Sequence, residues 1–229
     1  MTGSARMKGS HTLSSITQNE LAELMETRCG VYQLLARLWI KEVDGALLQG
    51  LKSATFPSLP EAPELDSAYR KLEDYLHDTQ PDALTELAVD YAVLCRGVDP
   101  HKGADPYESV HRSSMGLMMQ DEWEEVLRFY REVGLERSSS AIEPEDHLGI
   151  ELECMARLCQ RFLDSYEDGN EKSCSDSIAA QLHLLEAHLL KWVPQFCDEV
   201  LRIAKTDFYR AIAAITHEYL LMDVDILRA

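Results

Sequence analysis

Apolar residues recur with the period of an α-helix along almost the whole chain, and this periodicity restricts the fold more than any other feature of the sequence. The clearest stretch has large apolar side chains at Leu148, Leu152, Met155, Cys159, Phe162, Leu163 and Tyr166. A stripe with this spacing lies along one face of a helix and is buried against other helices. No segment shows a convincing alternation of apolar and polar residues, which would indicate a half-buried β-strand.

We therefore predict an all-α fold, a single helical domain of about eight to ten helices over residues 17–229. The predicted helices cover approximately residues 17–43, 44–52, 64–77, 81–96, 122–133, 144–168, 175–190, 194–205 and 207–222. We expect Asp44 and Asp121 to cap the helices that follow them, and Gly134 to end one. Residues 1–16 are rich in Gly and Ser and are expected to be a disordered leader or a vector-derived remnant.

The balance of charges limits the partners that this chain can bind. The sequence has 22 Lys and Arg residues against 40 Asp and Glu residues, a formal net charge of -18. A field of this sign repels nucleic acid and anionic lipid and attracts cationic partners. No apolar run reaches the roughly 18 residues that a membrane span needs, so we expect no stable membrane insertion. The six cysteines form no C-x-x-C pair and indicate reduced core residues of a cytoplasmic protein.

Sequence signatures of enzymes are mostly missing. The chain has no G-x-x-x-x-G-K-[ST], no G-x-G-x-x-G and no G-x-S-x-G. His147 and Glu151 stand four positions apart with Cys154 one turn further, which suits either a metal ligand set or a hydrogen-bonded pair on a helix. Asp146 and His147 could be half of a nucleophilic triad, but no Ser or Cys is marked as the nucleophile. We therefore predict no catalytic residue, no metal and no cofactor.

The segment 143–148, Glu-Pro-Glu-Asp-His-Leu, leads directly into the apolar stripe. Pro144 is suited to the first turn of a helix, where its missing N–H is not needed. Acidic side chains are favourable at this end of the helix dipole. We therefore expect Asp146 and His147 in the first turn of this helix, at the mouth of the surface against which it packs.

A connection of unusual length covers residues 97–120 and contains Gly and Pro but little helical pattern at its start. Connections of this length inside a compact helical domain are more often functional than idle. Three methionines lie near its end, Met115, Met118 and Met119. They fit either core filler or an adaptable lining for an apolar peptide.

Three blocks of sequence, in order, resemble the TorD/DmsD family of redox-enzyme maturation chaperones. They are Tyr91–Gly97 (Y-A-V-L-C-R-G) with Pro106–His111 (P-Y-E-S-V-H), then 143–148 (E-P-E-D-H-L), and finally 188–196 (H-L-L-K-W-V-P-Q-F) with Phe208 and Tyr209. The corresponding family patterns are Y-x-x-L-F-x-G with P-x-E-S-x-Y, E-P-x-D-H, and H-L-x-x-W-x-P-x-F with F-Y. The likeness extends from about Leu21 to Leu221. Cys95 stands where the family usually has Phe, and His111 where it usually has an aromatic residue.

The resemblance implies a cytoplasmic chaperone without enzymatic activity, a monomer or dimer. Such a protein binds the twin-arginine signal peptide and the apo-form of a molybdenum-cofactor oxidoreductase before export. The peptide-binding residues that it implies are Tyr91, Leu94, Cys95, Gly97, Pro106, Glu108, Ser109, His111, Asp146 and His147. We expect Asp146 to contact a leader arginine and His147 to orient the groove through a hydrogen bond. Capping of its own helix is the alternative role for Asp146.

Two other functions remain compatible with the sequence. One is a metal-dependent hydrolase centred on His147 and Glu151, with His111 as a further ligand. The other is an acidic helical scaffold that binds a folded partner. Metal content distinguishes the first from a chaperone, and titration with a twin-arginine peptide distinguishes the second.

Overall fold

The computed structural model describes residues 18–78, 81–97, 103–136 and 142–228. Over these ranges the chain forms ten α-helices and no sheet beyond one antiparallel bridge. The helices are α1 (Gln18–Ile40), α2 (Gly45–Ser53), α3 (Pro63–His77), α4 (Ala83–Cys95), α5 (Glu108–Arg112), α6 (Asp121–Glu132), α7 (Leu148–Glu167), α8 (Glu171–His183), α9 (Leu190–Ile203) and α10 (Asp207–Arg228). The all-α prediction is confirmed. Residues 1–16, for which we predicted a disordered leader, lie outside the described residues.

Two helix pairs form the framework, α1 on α7 and α3 on α10, while α8 packs on α7 and α9 packs on α10. Where α1 meets α7, Gly149 lets the two backbones approach closely. A Cβ at this position would lie 2.8 Å from Cβ of Ile40 and 3.1 Å from the carbonyl oxygen of Ala36. Large aromatic side chains fill the space between the helices and are fully buried: Tyr32, Trp39, Phe162, Trp192, Phe196, Phe208 and Tyr209.

Of the three residues predicted to begin or end a helix, two act as the sequence predicts and one does not. Asp44 caps α2, since its carboxylate accepts the backbone N–H of Leu47 at 2.9 Å. Gly134 follows α6 with φ of +66°, a conformation that glycine adopts without strain. The prediction for Asp121 is wrong, because it is the first residue of α6 and the capping position is Gln120, whose side chain makes no capping bond.

The start of α7 also differs from the prediction. The helix begins at Leu148 rather than at Pro144. The preceding residues are held instead by a second segment of chain: the N–H of Leu148 donates to the carbonyl of Pro106 at 2.9 Å, and the N–H of Glu108 donates to the carbonyl of Asp146 at 2.9 Å. These bonds between distant segments take the place of a first helical turn.

The break that we predicted between residues 190 and 194 is absent. A π turn, Leu184–Leu189, joins α8 to α9 in one continuous helix, and Pro194 lies inside α9. Proline removes a donor from the helix interior, but α9 packs against both α5 and α10, and this packing keeps it helical. The π turn has the wider i→i+5 hydrogen-bond pattern, and the rings of His183 and His188 lie edge to face with their centroids 5.9 Å apart.

No helix within the described ranges is both long and apolar enough to cross a bilayer. All six cysteines belong to these ranges and are free, and all except Cys174 are buried. Burial raises the pKa of the thiols, that of Cys159 to about 12 and those of Cys95, Cys154 and Cys197 further. These side chains are therefore protonated at neutral pH and fill the core, as the sequence predicts.

Candidate functional site

The residues implied as a peptide-binding set converge, but most of them are not at the surface. They lie on three segments: the last turns of α4, the residues around the start of α5, and the residues just before α7. All are buried except Gly97, which is exposed, and His111, which is half-buried. Part of the long connection, residues 98–102, lies outside the described residues. Most of the set is therefore part of the protein interior, and only Gly97 and His111 have exposed surface of any size.

Asp146 links the segment before α7 to the start of α5. Its side chain is fully buried, and its Oδ2 accepts the N–H of Ser109 at 3.0 Å and the hydroxyl of Ser109 at 2.5 Å. It therefore caps α5 and not its own helix. The expectation that Asp146 lies in the first turn of α7 is wrong, because the helix begins at Leu148 and the side chain of Asp146 is directed inward to Ser109. Burial raises the pKa of Asp146, although the bonds from Ser109 oppose the shift.

His147 is the N-cap of α7. Its Nδ1 accepts the backbone N–H of Gly149 at 3.0 Å, and its ring packs edge-on against Tyr107 with centroids 5.1 Å apart. Burial lowers the pKa of His147 from 6.5 to about 4, and the Glu143 carboxylate only partly offsets this. The ring is therefore neutral at pH 7, as its role as an acceptor requires. The side-chain pair with Glu151 that the sequence suggested is not formed, and the hydrogen bond of Nδ1 goes to Gly149 instead.

An ion pair that the sequence analysis missed ties α4 to this site. Arg96 pairs with Oε1 of Glu143 and also lies over the ring of Tyr91, 5.5 Å from its centroid. Oε2 of Glu143 accepts the hydroxyl of Tyr107 at 2.8 Å. Each of these four residues lies inside a block of the family resemblance, so the sequence already marked the segments that carry the ion pair. What the sequence does not give is which of them meet.

A second missed cluster lies beneath α5. The carboxylate of Glu108 is fully buried, forms an ion pair with Arg112, and lies 3.0 Å from Nδ1 of His188. Glu151 is also fully buried, and burial, followed by the charges of Glu108 and Asp146, raises its pKa well above the ordinary value. The spacing of Glu108 and Arg112 is a typical helical pair, whereas no local signal connects Glu108 to His188, 80 positions away.

The contacts of these residues do not favour the metal-dependent hydrolase that the sequence left open. Within the described part of the chain, no three His, Cys, Asp or Glu side chains are grouped so that they could hold a metal ion. His111, a suggested ligand, has Nε2 at 3.0 Å from the carbonyl oxygen of Ala104 and 2.9 Å from that of Asp105, so this nitrogen carries a proton and donates. Ser109 donates directly to Asp146 with no imidazole between them, and its side chain is buried.

A run of exposed apolar side chains in this region lies on the connection between α5 and α6. Four large side chains within five positions are exposed: Met115 (63%), Leu117 (54%), Met118 (41%) and Met119 (55%). Of the two roles that the sequence left open for the methionines, core filler is wrong. The first turn of α6, which follows directly, is acidic and carries Asp121, Glu122 and Glu124.

Comparison with known proteins gives a family match over most of the chain. A family model described as nitrate reductase delta subunit matches residues 60–198. This range includes the converging segments 91–97, 106–111 and 143–148, together with all of α4 to α8.

Curated proteins named chaperone protein TorD are similar to the chain over nearly its full length. The protein from Shewanella oneidensis is 29% identical over 215 residues, covering 90% of this chain and 92% of its own. That from Vibrio parahaemolyticus is 27% identical over 210 residues, with 89% and 96% covered. That from Aliivibrio fischeri is 28% identical over 215 residues, with 91% and 98% covered.

Proposed function

The chain belongs to the nitrate reductase delta subunit family, and from this premise we propose that it is a chaperone for the maturation of a molybdenum-cofactor oxidoreductase. The observation that carries the proposal is the alignment of TorD chaperones with about 90% of the chain. On this proposal the protein acts in the cytoplasm, as a monomer or dimer, and binds the twin-arginine signal peptide and the apo-enzyme before export. It catalyses no reaction.

The charge of the chain supports a cationic peptide as the ligand. A net charge of -18 attracts a leader with two adjacent arginines from a distance. Carboxylates bind guanidinium groups with paired hydrogen bonds, and an apolar surface accepts the rest of the leader. We propose that the buried members of the implied set, including Asp146, His147 and Ser109, hold the site in shape, and that Gly97 and His111 are accessible to the peptide.

The hydrolase alternative is not favoured. The pKa of Glu151 is raised by burial, so this carboxyl group resists the ionised form that a metal requires. The scaffold alternative differs from the chaperone in one measurable respect, because a scaffold that recognises a folded surface does not bind an isolated leader peptide.

Isothermal titration with a synthetic leader tests the proposal. The peptide carries two adjacent arginines followed by an apolar run, and the matched control replaces both arginines with glutamine. We expect the arginine peptide to bind more tightly, and its advantage to shrink as salt is added, because exposed charges are screened. If neither peptide binds while a folded partner co-purifies with the chain, the scaffold is correct and the chaperone proposal fails.

A further inference from the structure

The connection between α5 and α6, residues 113–120, is here called the methionine loop. Its four exposed apolar side chains are consecutive except for Gly116. Contiguous exposed apolar side chains on a soluble domain mark surfaces that bind a partner. Methionine is unbranched and polarizable, so it adapts to apolar partners of differing shape.

A hydrogen bond to a buried residue holds the methionine loop in its conformation. Met119 has φ of +56°, which is uncommon for a residue with a side chain and persists only where neighbouring contacts impose it. The contact here is the N–H of Met119, which donates to Oγ of Ser109 at 3.1 Å. Ser109 in turn donates its hydroxyl to Asp146 at 2.5 Å. A fully buried carboxylate thus fixes the shape of an exposed apolar loop.

Negative charge borders the methionine loop on its C-terminal side. Asp121, Glu122 and Glu124 occupy the first turn of α6 with no basic residue among them. The nearby guanidinium of Arg112 is already paired with Glu108, and it lies 3.3 Å from Glu125. An apolar surface beside a group of carboxylates is complementary to a peptide in which cationic residues stand next to an apolar run.

We propose that the methionine loop and the acidic first turn of α6 form the docking surface for the signal peptide, the loop contacting its apolar run and α6 its arginines. Asp146 and Ser109 are positioning residues that act through Met119. This inference rests on the proposed function and assigns a place on the chain to the peptide. It also gives the E-P-E-D-H segment a role without any direct contact between Asp146 and an arginine.

A pair of triple variants tests the docking surface. Both replace three exposed apolar side chains with glutamine, either on the methionine loop or elsewhere on the helices. The loop variant changes Met115, Met118 and Met119, and the control changes Val89, Leu201 and Leu221. We expect the loop variant to bind the leader at least tenfold more weakly, about 1.4 kcal/mol, and the control to bind like the wild type.

The outcomes separate the two proposals. If the wild type does not bind the leader, the proposed function fails. If the wild type binds and the loop variant binds equally well, the function stands and the docking surface lies elsewhere. A photo-crosslinker at position 118, with position 201 as control, identifies the occupant. Cross-links to the leader support the proposal, whereas cross-links between two copies of the chain overturn it.

Ser109→Ala tests the positioning role. It should accelerate hydrogen exchange at the amide of Met119 and weaken leader binding at least threefold, because the loop loses its acceptor. Asp223→Asn, which weakens a buried ion pair away from the loop, is the stability control and should leave this exchange rate and the affinity unchanged. If Ser109→Ala alters neither quantity, or if the control weakens binding equally, Ser109 does not position the loop.

Discussion

Acidification should destabilise this protein through His147. The Nδ1 atom of this ring accepts the N–H of Gly149 at 3.0 Å and so caps α7. Protonation occupies Nδ1 and places a positive charge among buried groups, with only the Glu143 carboxylate near enough to favour it and Arg96 opposing it. The folded protein therefore resists a proton that the unfolded chain accepts readily.

The direction and the size of the effect follow from the two pKa values. In the unfolded chain the imidazole titrates near 6.5, and in the folded protein near 4. Between these values the unfolded state binds more protons, so the free energy of unfolding falls as the pH decreases from 6.5 towards 4. By linkage, protonation at His147 should lower the free energy of unfolding, relative to its value well above pH ~6.5, by about 1.4 kcal/mol at pH ~5.5 and by about 2.5 kcal/mol at pH ~4.5.

Urea unfolding across this pH range, for the wild type and for His147→Asn, measures the effect. Asparagine is a good N-cap and does not titrate. The raised pKa values of Asp146 and Glu151 act in the opposite direction, because the folded state then binds more protons, but both groups are present in both proteins. The difference between the two profiles therefore isolates His147. Parallel profiles from pH ~7.5 to ~4.5 would refute the reasoning.

Three further predictions concern the framework that supports the site. Gly149→Ala should lower the free energy of unfolding by about 1–3 kcal/mol, because its Cβ would lie 2.8 Å from that of Ile40; an unchanged urea midpoint would contradict the close approach of α1 and α7. Asp223→Ala should lower the free energy of unfolding by roughly 3–5 kcal/mol, since the buried guanidinium of Arg28 loses hydrogen bonds of 2.5 and 2.8 Å to this carboxylate. A decrease below about 1 kcal/mol in the same assay would show that Arg28 finds another partner. Asp90→Ala should lower the free energy of unfolding by about 1–2 kcal/mol, because this carboxylate accepts the two backbone N–H groups that precede α10. Hydrogen exchange at those two amides should accelerate, and an unchanged exchange rate would exclude this role of Asp90.

The sequence by itself determined the helical class and many element ends, because these depend on interactions within a few residues. The apolar stripe fixes which face of α7 is buried, and a carboxylate three residues from an N–H donor, as in Asp44 and Leu47, acts locally. Gly134 likewise ends α6 through its own backbone freedom. The blocks of family resemblance also identified the segments that converge, and thereby the neighbourhood of the site.

The tertiary structure alone decided which groups within that neighbourhood meet. From its neighbours in the sequence, Asp146 is expected to belong to the helix that follows it, but its hydrogen-bond partner is Ser109, 37 positions earlier. His183 and His188 would face different sides of an α-helix, but the π turn before α9 brings their rings into edge-to-face contact. Whether Met119 is buried or exposed depends on the packing of α5, α6 and α7 around it. For Asp146 the deciding hydrogen bond joins distant segments, and a chain can satisfy its buried donors and acceptors in this way only after its helices have packed.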